Sequence, residues 1–126
     1  MSEHNKTILV VDDEKPLARA LELKLSKSGF DVLVANDGKE ALELLEKNHI
    51  DFVLLDLVMP NVDGFEVLSE LKAQEKSLPI IVTSNLSQKE DIDKAKELGA
   101  LEYFIKSNTP LSQIVDYIKT ALHVGT

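Results

Sequence analysis

The hydrophobic residues of this chain form short runs separated by longer segments of mixed polarity. Five runs of three or four apolar or aromatic residues are rich in β-branched side chains: Ile8-Leu9-Val10-Val11, Val32-Leu33-Val34, Phe52-Val53-Leu54-Leu55, Ile80-Ile81-Val82 and Tyr103-Phe104-Ile105. Uninterrupted apolar runs of this length are typical of strands buried on both faces, as in a parallel sheet. The pattern therefore predicts five such strands.

The segments between these runs have helical periodicity. Leu17, Leu21 and Leu25 recur at the spacing of one helix face, and the last segment repeats that pattern. Signals for helix ends accompany them: capping-box pairs at Asp37 and Glu40, Asp63 and Glu66, and Ser87 and Glu90; prolines suited to first helical positions at Pro16 and Pro110; and glycines suited to C-terminal caps at Gly29 and Gly99.

A strand followed by a helix, repeated five times, predicts an α/β fold. Right-handed crossovers place the helices on both faces of one doubly wound parallel sheet. The 126 residues suit a single domain, 1–126, with a polar, flexible N-terminus at 1–6 and no effector domain. In such folds ligands bind beyond the carboxyl ends of the strands.

Composition narrows the classes of function. The chain has no cysteine, which excludes disulfides, zinc-thiolate sites and thiol catalysis. Its formal net charge of -8 disfavours nucleic acid and anionic membranes as direct partners, because both select basic surfaces. No signal peptide and no apolar run of transmembrane length is present, so we expect a cytoplasmic protein.

Chemically reactive side chains follow four of the five predicted strands. They are Asp12, Asp13 and Glu14 after the first, Asp56 after the third, Thr83 and Ser84 at the fourth, and Lys106 after the fifth. Each has an ordinary interpretation alone, as a cap, a turn residue or a solvated charge. These four strands would be neighbours in a doubly wound sheet, so their joint placement favours a shared site.

Carboxylates held together repel one another, and a hard divalent cation relieves that repulsion. Oxygen ligands select magnesium or calcium, and few protein ligands with room for water and phosphate favour Mg²⁺. A carboxylate that the metal does not fully use can act as a nucleophile. The ammonium of Lys106 and the hydroxyl of Ser84 can neutralise charge on a transferred phosphoryl group.

At these residues the chain resembles the receiver (CheY-like) domain of bacterial two-component response regulators, over nearly its full length. The matching segments are Ile8-Leu9-Val10-Val11-Asp12-Asp13-Glu14, Asp56-Leu57-Val58-Met59-Pro60 with Asp63-Gly64, Pro79-Ile80-Ile81-Val82-Thr83-Ser84, and Gly99-Ala100 leading to Tyr103-Phe104-Ile105-Lys106. The resemblance implies a flavodoxin-like sheet with the strand order 2-1-3-4-5 and five helices.

The resemblance also implies a role for each matching position. Asp56 would be the phosphoacceptor; Asp13, Asp56 and the backbone carbonyl of Val58 would bind Mg²⁺, with Asp12 acting mainly through a metal-bound water. Lys106 would bind phosphoryl oxygens. Its spacing in the family assigns the switch hydroxyl to Ser84 and not to Thr83. Movement of Ser84 toward the phosphoryl group would let Tyr103 rotate inward.

The sequence departs from the family pattern in the same region. Ser107 replaces the proline that usually follows the lysine, so we expect a trans peptide bond there. Asn85 replaces a residue that is usually small, and it would narrow access to the phosphoryl site. Val58 and Leu86, which flank the approach of the attacking water in the family, are both apolar. They predict slow self-dephosphorylation.

The resemblance implies a sensor histidine kinase or a phosphotransfer protein as phosphodonor, with docking on the helix that carries Leu17, Ala18 and Leu21. Core packing is the competing interpretation for these three residues. Output would pass through the surface of helix 4, strand 5 and helix 5 to a protein target, a detached effector domain or a homodimer partner. The chain would be a signalling switch and not an enzyme.

Three alternatives remain open at this point. The first is a receiver-like interaction module that is not phosphorylated, to which Ser107 lends weight. The second is an aspartate-dependent phosphohydrolase, which usually needs a further cap domain. The third is a flavodoxin, although acidic strand ends would repel the flavin phosphate.

Overall fold

The computed structural model describes residues 5–59 and 61–122, in which strands and helices alternate along the chain. The strands are β1 (Thr7–Val11), β2 (Asp31–Ala35), β3 (Phe52–Leu55), β4 (Ile80–Ser84) and β5 (Glu102–Ile105). The helices are α1 (Lys15–Lys27), α2 (Gly38–Lys47), α3 (Gly64–Ala73), α4 (Lys89–Glu97) and α5 (Leu111–Ala121), with a 3-10 turn at Lys106–Asn108. Residues 1–4 of the N-terminus predicted to be flexible lie outside the described residues.

The five strands form one parallel sheet in the order β2-β1-β3-β4-β5, which confirms the predicted topology. The chain first adds β2 on one side of β1 and then continues from β3 on the other side. All carboxyl ends consequently lie at one edge of the sheet, and the reversal opens a crevice between the loops that follow β1 and β3. Within the two described ranges, no helix is both long and apolar enough to cross a membrane.

The core has two halves, one on each face of the sheet. Alternate residues of a strand point to opposite faces, so Ile8 and Val10 of β1 pack in one half while Leu9 and Val11 pack in the other. The first half includes the buried faces of α1 and α5, and the second includes those of α2, α3 and α4. The helices thus cover both faces, as predicted.

The three central strands are almost completely buried, whereas the two edge strands are not. Four of the five residues of β1 and every residue of β3 and β4 are buried, but β5 is half-buried throughout and β2 has one buried residue, Ala35. The prediction of burial on both faces is therefore wrong for β2 and β5. An edge strand has one strand neighbour and lies where the helical layers end.

Side-chain caps begin two of the helices as the sequence predicts. The Asp37 carboxylate accepts the N–H of Glu40 at 2.8 Å, and the Asp63 carboxylate accepts the N–H of Glu66 at 2.9 Å. Each bond satisfies a donor that the first helical turn leaves free. Gly29 and Gly99 follow their helices with φ values of 98° and 111°, as glycine C-caps do.

Two predicted helix starts are wrong. The residue before α4 is Gln88 and not Ser87, and its side chain makes no capping hydrogen bond. Pro110 is the residue before α5 and not its first helical residue. Proline fits there because its fixed φ suits the extended backbone of an N-cap as well as the first turn.

Glycines allow α2 and α3 to approach the loop between β3 and α3. A Cβ on Gly64 would lie 2.4 Å from the carbonyl oxygen of Asp56 and 2.6 Å from Cα of Leu57. A Cβ on Gly38 would lie 2.2 Å from the carbonyl oxygen of Val62. Backbone atoms cannot yield as a flexible side chain can, so both positions require glycine. The absence of a side chain at Gly64 thereby lets the start of α3 lie directly against the main chain of Asp56 and Leu57.

We predict that Gly64→Ala lowers the free energy of unfolding by about 3 kcal/mol or more, because the added methyl group displaces backbone. Gly29→Ala is the matched control: its φ of +98 is strained, but no atom lies within 4 Å of the added Cβ. That variant should lose about 1 kcal/mol. Urea denaturation of both variants measures the difference, and equal losses would contradict the packing role of Gly64.

Candidate functional site

The sheet brings the predicted reactive residues together at its carboxyl edge. Asp12 directly follows β1, Asp56 directly follows β3, Ser84 ends β4 and Lys106 directly follows β5. A cleft of about 320 Å³ opens there, and it is lined by Asp13, Glu14, Asp56, Val58, Ser84, Asn85, Leu86 and Lys106. Ser84 is part of this lining and Thr83 is not, although both are buried.

Lys106 is the cation at the centre of this site. Its Nζ lies 2.9 Å from Oδ2 of Asp12 and 3.2 Å from Oδ2 of Asp56, and it also binds the Glu14 carboxylate. The Lys106 side chain is only 9% exposed. No role is predicted for Glu14 from the sequence alone. Its position in the acidic run Asp12-Asp13-Glu14 was the signal that could have indicated a third carboxylate near the lysine.

Asp12 and Asp56 are held in the same way. The N–H of Glu14 donates to Oδ1 of Asp12 at 2.8 Å, and the N–H of Val58 donates to Oδ1 of Asp56 at 3.2 Å. In both cases the donor lies two residues after the aspartate, which is the geometry of an Asx turn. The turn orients each carboxylate so that its other oxygen faces Lys106.

The three aspartates form a set of oxygen ligands suited to a hard cation. Ligand oxygens of Asp12, Asp13 and Asp56 all lie within 4.8 Å of one another. Asp12 and Asp56 are 1% and 4% exposed, while Asp13 lies at the open side. Oδ2 of Asp12 is buried, and among the described residues its partner is the Lys106 ammonium at 2.9 Å. Three clustered carboxylates that share one lysine fit a metal ion that prefers oxygen ligands.

Burial dominates the acid–base behaviour of the site. It raises the pKa of Asp56 to about 6; the charge of Lys106 opposes this rise, and the charge of Asp12 adds to it. Burial likewise raises the pKa of Asp12 against the hydrogen bond and the charge of Lys106. Burial acts to lower the pKa of Lys106, yet its contacts with the surrounding carboxylates outweigh that and raise it. Lys106 therefore stays charged, whereas the ionised forms of Asp12 and Asp56 are destabilised.

The predicted switch residues meet in the loop after β4. The Ser84 hydroxyl oxygen accepts the N–H of Leu86 at 3.2 Å, and the hydroxyl of Tyr103 donates to the carbonyl oxygen of Leu86 at 2.7 Å. Tyr103 is half-buried, and burial raises its pKa. Strand β5 is thereby joined to the loop that follows Ser84.

Val58 and Leu86, the residues predicted to tune water access, both line the cleft. Val58 is 57% exposed, and Leu86 is half-buried against the core. The peptide bond between Lys106 and Ser107 is trans, as predicted from the absence of proline.

We predict that lowering the pH from about 7.5 to about 5 raises the free energy of unfolding of the metal-free protein by about 1–3 kcal/mol. Folded Asp56, with its pKa of about 6, binds a proton in this window, while the unfolded carboxyl with a pKa near 3.8 stays ionised. Protons therefore favour the folded state. Urea denaturation with a chelator present measures this change.

Asp56→Asn should lose most of this gain and should be more stable than the wild type at about pH 7.5, because the buried charge is gone. Asp116→Asn removes an exposed carboxylate from α5 and is the control. If Asp56→Asn and Asp116→Asn keep the same pH dependence, Asp56 is not the group that titrates.

Comparison with known proteins gives a consistent result. Residues 8–119 match the family described as "Response regulator receiver domain". The probable transcriptional regulator ycf27 of Porphyridium aerugineum is 45% identical over 103 residues, which cover 82% of this chain and 42% of that protein. The alkaline phosphatase synthesis transcriptional regulatory protein PhoP of Bacillus subtilis is 40% identical over 106 residues, covering 84% and 44%. The chain thus spans less than half the length of these curated relatives.

Solved structures agree with the sequence relatives. The receiver domain of the Francisella response regulator 1452 is 32% identical, with a TM-score of 0.86 over 92% of this chain and 95% of that one. A CheY-like receiver domain protein of Methanospirillum hungatei JF-1, at 24% identity, matches with a TM-score of 0.88 over 94% of each chain and supports the fold alone. The chain therefore belongs to the receiver domain family of two-component response regulators.

Proposed function

We propose that this receiver domain is a phosphorylation switch in which Asp56 accepts a phosphoryl group. The observation that carries the proposal is the position of the Asp56 carboxylate. It is 4% exposed and lines an open cleft, and its Oδ2 lies 3.2 Å from the Lys106 ammonium. A nucleophile, a fixed cation and space for a tetrahedral group are therefore present together.

The transfer would form one bond and break another. A carboxylate oxygen of Asp56 forms a bond to phosphorus, and the bond between phosphorus and the donor's histidine nitrogen breaks. The imidazole leaves with the electron pair and takes up a proton from solvent. Lys106 pairs with the phosphoryl oxygens as charge accumulates on them. Ser84, at the end of β4, supplies a hydroxyl on the neighbouring side of the same cleft.

Asp12, Asp13 and Asp56 would hold a divalent cation, which we propose is Mg²⁺, and the Val58 carbonyl is the further ligand that the family resemblance implies. When bound, Mg²⁺ neutralises the carboxylates, keeps Asp56 ionised and balances the phosphoryl charge. The raised pKa of Asp56 is the reason that we expect phosphorylation to need a cation. Without a cation, part of the population would carry a protonated and poorly nucleophilic Asp56 near neutral pH.

The switched surface would consist of α4, β5 and α5. Tyr103 connects it to the site, because its hydroxyl bonds to the backbone of Leu86 and its main chain belongs to β5. Movement of Ser84 toward a phosphoryl group would displace Leu86, two residues along, and free Tyr103 to rotate. The change would alter the face offered to a target protein, an effector domain or a second copy of the domain.

We propose a sensor histidine kinase or a phosphotransfer protein as the donor, docking near α1. Ala18 and Leu21 are buried in the core, which confirms the packing interpretation for both, and Leu17 is half-buried against them. The exposed face instead carries Arg19 and Leu23, the latter 46% exposed. These two are the better candidates for contacting the donor.

The curated relatives are named as transcriptional regulators, and this chain matches less than half of each. Contact with DNA in such proteins need not involve the receiver. The net charge of -8 supports our proposal that this domain signals to a protein surface and not to nucleic acid. We also propose that its chemistry is limited to its own phosphorylation and dephosphorylation, as expected of a switch and not of an enzyme with a separate substrate.

One observation favours a receiver-like module that is not phosphorylated. Lys106 is already in contact with three carboxylates, so the cluster could act as a structural salt-bridge network alone. Buried ion pairs of this kind occur without catalysis. The accessible cleft and the clustered aspartates beside it favour the phosphorylation switch, and incubation with a small phosphodonor separates the two functions.

We predict that incubation with acetyl phosphate and Mg²⁺ adds one phosphoryl group to the wild type, detected as an increase in intact mass. Asp56→Asn should show no increase, because an amide cannot act as the nucleophile. Asp116→Asn should react like the wild type. Omission of Mg²⁺ should slow the reaction by at least about tenfold. An unmodified wild-type protein, or an equally modified Asp56→Asn, would refute the switch.

We further predict slow loss of the phosphoryl group, because Val58 and Leu86 present no polar atom from their side chains to orient a water molecule. The double variant Val58→Asn with Leu86→Glu should lose it at least about tenfold faster. Val58→Ala with Leu86→Ala is the control that opens space without adding polar groups. Decay of the phosphorylated mass over time measures each rate, and equal rates in all three proteins would exclude this mechanism.

A further inference from the structure

Beside the site, a hydrogen bond links two exposed residues to which we have assigned no catalytic role. The backbone N–H of Ser107 donates to Oδ1 of Asn85 at 3.1 Å, across 22 positions of sequence. Asn85 directly follows Ser84, and Ser107 directly follows Lys106. The bond therefore joins the main chain next to the lysine to the side chain next to the hydroxyl.

The bond depends on both residue types. A proline at position 107 would have no N–H to donate, and an alanine at position 85 would have no oxygen to accept it. The two residues are complementary, since each supplies the group that the other requires.

The geometry of the sheet explains why this bond bears on the lysine. Pairing between β4 and β5 ends at Ser84 and Ile105, so the ladder does not extend to Lys106. The turn at Lys106–Asn108 is closed internally: the Thr109 hydroxyl donates to the carbonyl of Ile105 at 2.9 Å, and the Thr109 N–H to that of Lys106 at 3.4 Å. Among the described residues, the bond from the Ser107 N–H to the Asn85 side chain is the hydrogen bond that connects the main chain of this turn to the loop after β4.

We propose that Asn85 and Ser107 are a positioning pair: their hydrogen bond continues the connection between β4 and β5 beyond the ladder and holds the Lys106 ammonium over Asp56. The proposal rests on the proposed function of Asp56. Asn85 lines the cleft, but among the described residues neither member of the pair hydrogen-bonds to the three aspartates of the metal site. Loss of the bond should therefore disturb the lysine and leave the aspartates in place.

Each variant that tests the pair removes or keeps one hydrogen-bonding group of Asn85 or Ser107. Asn85→Ala removes the acceptor and Ser107→Pro removes the donor, whereas Ser107→Ala keeps the backbone N–H and is the matched control. Asn85→Ala and Ser107→Pro should each slow phosphorylation by acetyl phosphate about 3- to 10-fold, the rate equivalent of one net hydrogen bond. The double variant should be no slower than the slower single variant, because one bond is lost in each case. Ser107→Ala should stay within about twofold of the wild type.

Two further readouts separate positioning from a general loss of structure. All variants should still bind Mg²⁺ with a saturating dependence on concentration, because Asp12, Asp13 and Asp56 are unchanged. In NMR spectra of the metal-free protein, the Nζ resonance of Lys106 should shift in Asn85→Ala and in Ser107→Pro but not in Ser107→Ala. The Ser107 amide should exchange faster with solvent in Asn85→Ala.

The results that overturn the pair differ from those that overturn the proposed function. If Asn85→Ala leaves the Lys106 resonance, the exchange of the Ser107 amide and the phosphorylation rate unchanged, the pair does not position the lysine. If the wild type itself is not phosphorylated, the proposed function fails. The resonance and exchange measurements still decide whether the pair holds Lys106, because they need no phosphodonor.

Discussion

The cleft is governed by an imbalance of charge: one lysine ammonium is in contact with three carboxylates. Lys106 contacts Asp12, Glu14 and Asp56, and two of these acids are almost fully removed from water. Burial raises the pKa values of Asp12 and Asp56. The single positive charge of Lys106 opposes this rise but does not cancel it, because it is shared among three carboxylates. A deficit of positive charge therefore remains among the side chains of the site. The metal requirement and the nucleophilic role that we propose for Asp56 both follow from that deficit.

The fold creates this deficit and also sustains it. A parallel sheet with the order β2-β1-β3-β4-β5 brings the residues that follow four different strands to one edge. Asx turns at Asp12 and Asp56 orient the carboxylates, and Gly64 holds α3 against the backbone of Asp56. Packed apolar residues on both faces of the central strands leave this edge little freedom to spread and relieve the repulsion. Stability of the domain thus supports a locally unfavourable arrangement, as is common at functional sites.

Much of this arrangement can be predicted from the sequence, because it depends on patterns with simple geometry. Apolar runs located all five strands, and the rule for parallel sheets placed Asp12, Asp56, Ser84 and Lys106 at one edge. The resemblance supplied the strand order. Contacts that depend on side-chain direction could not be predicted this way. The pairing of Glu14 with Lys106 needs the conformation of two long side chains, and the bond from Ser107 to Asn85 needs the exact approach of two loops.

The errors have physical causes as well. Ser87 has the sequence signature of a cap, but the chain turns into α4 one residue later, so helix starts are less certain than helix identities. The runs in β2 and β5 are as apolar as those in the central strands, because one face of an edge strand still packs on the core. Composition alone therefore cannot distinguish an edge strand from a central one.

We propose that the clustered carboxylates bind a divalent cation, and a titration with Mg²⁺ tests this most directly. The free energy of unfolding is measured by urea denaturation at increasing Mg²⁺ for the wild type, Asp13→Asn and Asp116→Asn. Asp13 is exposed, so its substitution leaves the core intact. We expect Mg²⁺ to stabilise the wild type and Asp116→Asn equally, with a saturating dependence on concentration, and to stabilise Asp13→Asn far less. Equal stabilisation of all three proteins, or of none, would contradict this proposal.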